Sequence, residues 1–179
     1  MKKIIILISA LILQSCLIGA GKNSKVEKNE VNFFPKIIGI DLEGKEREMP
    51  TAFNSKLNIV IVAFKREQQK DVDGWIPYIS EIKNENISFY ELPIIYELNA
   101  FKRAWVNNAM RFGIKNDDSR RHTITVYTNR AEFFEIMKMQ EDKIYVLLID
   151  DKGKILSRIE GLVDDKKVSD LTRAIKDNI

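Results

Sequence analysis

Residues 58–64 read N-I-V-I-V-A-F, an almost unbroken apolar run rich in β-branched residues. A strand with one wet face alternates polar and apolar positions. A continuous run is what a strand covered on both faces looks like. This segment therefore belongs at the centre of a sheet, with apolar material laid on each side. With 179 residues, 45% of them hydrophobic, the chain can bury such a core within one domain and without staples.

The punctuation around that run gives an element order. Residues 36–40 and 46–49 flank Asp41-Leu42-Glu43-Gly44-Lys45, a hairpin candidate with glycine in the turn. Trp75, Ile76, Ile79 and Ile82 follow at helical spacing. Residues 87–95 form a second apolar run. Leu98, Phe101, Trp105, Asn108 or Ala109, and Phe112 then describe a long helix that stops at Gly113. Residues 123–128 read as a strand, and Phe133, Phe134, Ile136 and Met137 as a short helix. Residues 144–149 and 155–160 are strands joined by a turn at 150–154. Asp164 or Asp165 can cap a last helix carrying Val168, Leu171 and Ile175. Strands alternating with helices predict an α/β fold, a mixed sheet with helices on both faces. Trp75, Phe101, Trp105, Phe133 and Phe134 are expected in the core.

The start of the chain reads as an address. Lys2 and Lys3 precede a run of about ten apolar residues, too short to span a bilayer, which needs about 20. The run ends in Leu13-Gln14-Ser15-Cys16, which resembles the bacterial lipobox, although Gln14 stands where a small or aliphatic residue is usual. That resemblance implies cleavage before Cys16 and acylation of its thiol and new amine. The expected layout is a signal peptide over 1–15, a lipid-anchored flexible tether over 16–31 and the domain over 32–179. The later part of the tether is rich in Gly, Asn, Ser, Lys and Glu, and would hold the domain roughly 20 Å from the membrane on average. Two or more acyl chains anchor a protein stably where one does not.

Composition also excludes chemistry. One cysteine allows no internal disulfide, no C-x-x-C pair and no cysteine zinc site, and one histidine, His122, allows no multi-histidine metal centre. Losing Lys2 and Lys3 with the leader takes the formal charge from +3 to +1, far from the basic profile of a nucleic-acid binder. No metal or cofactor is expected. Asp150 and Asp151 are ordinary turn residues rather than a cation site.

The residues Phe33-Phe34-Pro35, the turn 41–45, the run 57–64 and Tyr145-Val146-Leu147-Leu148-Ile149-Asp150-Asp151-Lys152-Gly153-Lys154-Ile155 together resemble the thioredoxin-like superfamily. The peroxiredoxin and membrane-tethered thiol-oxidoreductase branches are the nearest in pattern, because they share the opening β-hairpin and an extra strand and helix. The resemblance implies a closing β-hairpin and a C-terminal helix. It also implies where a C-x-x-C would stand: counting from Phe64, at Gln69 and Val72, with Pro77 in the place of the family's helix proline and Ile144 in that of its cis-proline. The thiolate is the nucleophile in the fold's redox reactions, and neither glutamine nor valine replaces it. A second similarity is to the mitochondrial ATP synthase assembly factors of thioredoxin-like fold. It rests on Trp75, on Ala109-Met110-Arg111-Phe112-Gly113-Ile114 and on the closing hairpin.

These readings lead to a redox-inactive, thioredoxin-like envelope lipoprotein. It would bind another envelope protein as an assembly or chaperone-like factor and meet the membrane through lipid on Cys16. Residues 65–73 are expected as a polar loop at the end of the central strand, where α/β folds bind ligands. Arg66 and Gln69 would be donors there, joined by Arg120 and Arg121 from a basic stretch between Lys102 and His122. The alternative is a hydrolase-type envelope enzyme using His122 and carboxylates, with the imidazole as general base.

Overall fold

The computed structural model describes residues 20–28 and 32–179. The predicted central run forms β4 (Leu57–Ala63), buried at all seven positions. It pairs in parallel with β5 (Ile87–Tyr96) and antiparallel with β7 (Tyr145–Asp150). β6 (Ile124–Thr128) runs parallel to β5 on the far side, and β2 (Ile37–Asp41) and β3 (Glu46–Met49) extend the sheet beyond it as the opening hairpin. β8 (Ile155–Glu160) closes the other edge. The strand order is β3-β2-β6-β5-β4-β7-β8.

Successive side chains of a strand point to opposite faces, so β4 feeds two cores. Val60 and Val62 meet Phe34, Phe53, Leu92, Val126, Leu147 and the helix α4 (Arg130–Met137), through Phe133 and Met137. Leu57, Ile59 and Ile61 meet α1 (Gln69–Ile82), through Val72, Trp75 and Ile79, and α5 (Asp165–Lys176), through Leu171 and Ile175. Asp164 supplies the cap of α5, accepting from the Lys167 N–H at 2.8 Å. Two glycines are there for geometry. Gly153 turns the closing hairpin at φ +87, and a Cβ on Gly39 would lie 2.5 Å from the Ile124 methyl on the neighbouring strand.

Three expectations change. First, the described part of the predicted tether, residues 20–28, lies on the domain. β1 (Asn23–Ser24) pairs with Tyr127 and Thr128 of β6, Glu27 and Lys36 exchange backbone hydrogen bonds at 2.9 Å, and Ala20 and Val26 are buried. A polar composition hides this, because the attachment is made by the main chain and by Ser24, whose carbonyl accepts from the Thr128 hydroxyl at 2.6 Å. The leader and Cys16 lie outside the described residues.

Second, residues 65–73 are not a loop. A short 3₁₀ turn (Arg66–Gln68) leads straight into α1, which also contains Pro77. A further short helix, α3 (Asp117–His122), precedes β6.

Third, α2 (Ala100–Gly113) is inverted relative to its periodicity. Trp75 and Phe133 are fully buried as expected, but Phe101 is 79%, Trp105 69% and Phe112 87% exposed. The residues α2 buries are Arg103 and Asn107. The floor beneath it explains this. β6 presents Thr125 and Tyr127 there, with Met110 Sδ 3.8 Å from the Thr125 hydroxyl and Asn107 Oδ1 accepting from the Tyr127 hydroxyl at 2.7 Å. Arg103 Nε and Nη2 donate to the carbonyls of Ala20 and Gly21 at 3.1 and 2.9 Å. A helix laid on hydroxyls and carbonyls satisfies them with its polar side.

Candidate functional site

The C-terminal end of β4, just before the positions where the reactive thiols of the resembled fold would stand, is packed shut; of those positions Val72 is buried and Gln69 is exposed. Gln68 is buried, and its Oε1 accepts from the backbone N–H groups of Phe64 (2.7 Å) and Lys65 (3.1 Å). Its Nε2 donates to the carbonyl of Glu141 at 2.9 Å, which ties the end of β4 to the segment before β7. The Glu141 carboxylate continues the seal, with Oε2 2.9 Å from Arg130 Nη2 and Oε1 3.4 Å from Lys65 Nζ. The Arg130 guanidinium lies 4.2 Å from the Tyr96 ring centroid and within 6 Å of Phe64 and Phe134. Val72 and Ile144 are fully buried. Neither offers a polar atom to a substrate.

Beside this plug, between α1 and α3, runs an open groove of about 310 Å³. Its floor is the half of β5 that β6 does not cover. Gln69 and Asp73 come from the first turns of α1, Glu91 from the middle of β5, and Asp118, Ser119 and His122 from α3, with Ile76, Ile79 and Phe89 as apolar walls. The placement follows from register. Thr123 bridges to Glu91 in parallel, so His122 arrives one residue before that level.

Glu91 is the electrostatic centre of the groove. Burial pushes its carboxyl up to about 7, against a Gln69 side-chain hydrogen bond that favours the charged form, and with the Asp73 charge adding to the rise. Gln69 Nε2 also donates to Asp73 Oδ1 at 3.0 Å. His122 Nδ1 lies 2.7 Å from the Asp118 carbonyl, a contact that needs Nδ1–H as the donor. The ring rests 5.0 Å from that of Tyr90. Asp118 is held below the usual carboxylate range, first by its hydrogen bond from Lys83 Nζ at 2.9 Å and further by the His122 and Arg121 charges.

Of the predicted site residues, the structure brings together Gln69 and His122 and leaves the others apart. Arg66 sits exposed one turn before α1 and does not line the groove. Arg120 closes the end of α2, with Nε donating to the Ile114 carbonyl at 2.7 Å, and pairs with Asp117 at 3.1 Å. Arg121 lies between Glu43 and Asp118, at 3.4 and 3.7 Å. Arg120 and Arg121 are therefore occupied in holding α2 and α3. Asp150 Oδ1 accepts from the Lys152 and Lys154 N–H groups, the turn role expected of it. Sequence reasoning missed Glu91, Gln68 and Arg130. Glu91 did leave a signal, a lone acid inside an otherwise apolar strand.

No family model matches the chain, and no curated protein sequence does. Solved structures do. The thioredoxin domain of a thiol-disulfide oxidoreductase from Bacteroides vulgatus superposes with a TM-score of 0.51 at 16% identity, over 79% of this chain and 94% of that one. The exposed lipoprotein thioredoxin of Streptococcus pneumoniae gives 0.51 at 11%, over 79% and 98%. BsSco, a member of the Sco family of cytochrome c oxidase assembly proteins, gives 0.52 at 14%, over 83% and 97%. At these identities the likeness establishes the fold. The chain has a thioredoxin-like fold, with the opening hairpin, the extra strand and helix, and the closing hairpin and helix that its sequence pattern implies.

Proposed function

We propose that this chain is a thiol-free, thioredoxin-like lipoprotein of the bacterial cell envelope, anchored outside the cytoplasm through Cys16, that binds another envelope protein as an assembly or chaperone-like factor. The observation that carries the reading is the sealed end of β4. Where the fold would expose a nucleophilic pair, this chain has Gln69, an amide at the groove edge, and a fully buried Val72, and the neighbouring buried Gln68 ties the strand end shut with three hydrogen bonds to backbone. The polar groove next to it stays open and offers unlike charges to a partner. The assembly role draws on the similarity of Trp75, the 109–114 segment and the closing hairpin to ATP synthase assembly factors, and on the occurrence of this fold in an oxidase assembly family.

Two measurements test it. Labelled palmitate should enter the wild-type chain and not Cys16→Ser, and equal labelling removes the anchor. Crosslinking in cells followed by pulldown of the anchored chain should recover a discrete envelope protein that is lost with Gln69→Ala plus Asp73→Ala. Recovery unchanged by those substitutions would move the partner off the groove.

A second reading has one observation in its favour. The groove gathers an imidazole, a carboxyl near neutral pKa and the hydroxyls of Ser119 and Thr123, the classes of group a hydrolase uses. The Thr123 hydroxyl is already committed to the Ser119 carbonyl at 2.9 Å, which weighs against it as a nucleophile.

A further inference from the structure

The aromatic face of α2 has no partner within the described chain. At about 100° per residue, Phe101, Trp105 and Phe112 fall within about 40° of one another, opposite the buried Arg103 and the half-buried Met110. Lys102 and Arg111 flank the stripe, Lys115 follows the helix, and α2 itself contains no acidic residue. An aromatic stripe edged by lysine and arginine is the pattern of a helix lying in a membrane interface, rings in the acyl boundary and cations among the headgroups.

The path of the chain says which surface would cover it. The N-terminal strap is fixed to this helix. Arg103 bonds the carbonyls of Ala20, Gly21 and Leu98 and the Asn23 side chain, and Asn23 Oδ1 also accepts from the Leu98 N–H at 3.1 Å. Only four residue steps separate Ala20 from Cys16. Fully extended, they reach about 14 Å, little more than the width of a helix with its side chains. A lipid on Cys16 thus keeps the bilayer within about 14 Å of Ala20, which is bonded to α2 through Arg103, and not the roughly 20 Å that a free tether over 16–31 would give.

We infer that α2 docks its Phe101–Trp105–Phe112 face into the leaflet that holds the chain's own lipid anchor, with Lys102, Arg111 and Lys115 toward anionic headgroups. The inference rests on the lipoprotein reading above. It fixes the orientation of the domain: the outer face of α2 lies on the membrane, and the strap, held beneath α2 by Arg103, cannot act as a flexible leash.

The two tryptophans make this measurable, because Trp75 is fully buried and Trp105 is exposed. The full acylated chain is reconstituted on phosphatidylcholine–phosphatidylglycerol vesicles with and without bromine on the acyl chains. Bromine should lower the exposed-tryptophan emission about twofold, as expected for a ring in the acyl boundary. Acrylamide should lose access to that emission, and both effects should vanish in Trp105→Leu. Phe101→Ser plus Phe112→Ser should restore acrylamide access while the chain still floats with vesicles and melts at the wild-type temperature. Flotation with full acrylamide access and no bromine quenching overturns the docking and leaves the anchor standing. Acrylamide protection that grows with protein density and ignores bromine assigns the face to a second copy and also overturns it. Failure to float overturns the anchor, and the docking with it.

Discussion

Gln68 and Gln69 are neighbours with the same side chain, and the fold asks different things of them. Gln68 makes three hydrogen bonds from a buried position, so Gln68→Ala leaves two backbone donors and one acceptor without partners. It should cost about 2–3 kcal/mol in urea unfolding. Gln69 is exposed and bonded to Asp73, and Gln69→Ala should cost less than about 0.5 kcal/mol. Equal losses would mean that the plug is not what holds the end of β4. Glu91 makes a prediction of opposite sign to the usual carboxylate. Its folded-state value near 7 lies above the ordinary 4.5, so the folded chain holds a proton that the unfolded chain releases. Stability should therefore fall as pH rises from about 4.5 to 7 and level off above, by an amount on the order of 3 kcal/mol. Glu91→Gln should remove that slope and melt higher than wild type at pH 8. A variant that keeps the wild-type slope would place the titrating group elsewhere.

At the scale of elements, the sheet was legible and the orientation of one helix was not. β4 announced itself because burial on both faces leaves an almost continuous apolar run, interrupted only by the hydrogen-bonded Asn58, and the hairpins did so through their turn residues. α2 misled because periodicity reports that a helix has two unlike faces and not which of them meets the protein. That choice was made by Thr125 and Tyr127 on β6 and by the Ala20 and Gly21 carbonyls, all distant in sequence. α3 had a readable signature, an Asn116 cap with Asp117 and Asp118 at its start and Arg120, Arg121 and His122 at its end. The groove was half legible. His122 and Gln69 were singled out, but their meeting depends on β6 starting level with the middle of β5. The inversion of α2 carries its own test. Arg103→Ala removes a buried guanidinium and its bonds to four acceptors, that of Ala20 buried, and should destabilise the chain by about 2–4 kcal/mol, whereas Trp105→Ser, on the outer face, should stay within about 0.5 kcal/mol. The reverse order of losses would mean that the aromatic face is packed.

For the whole molecule, the strap, the sealed strand end and the open groove divide the surface by task. In the proposed arrangement the outer face of α2 meets the membrane, the plug at Gln68 closes the end of β4, and the groove, which opens on the same sheet face as the α2 floor, lies between α1 and α3. A partner recognised by this protein should therefore be held at the groove. The most direct test is site-specific photocrosslinking in cells from the anchored, full-length chain, with the crosslinker at Gln69 in the groove or at Lys152 on the exposed closing turn. One discrete adduct of an envelope protein from position 69, absent from position 152, is the result this account predicts. The same adducts from both positions, or none from position 69, would contradict it.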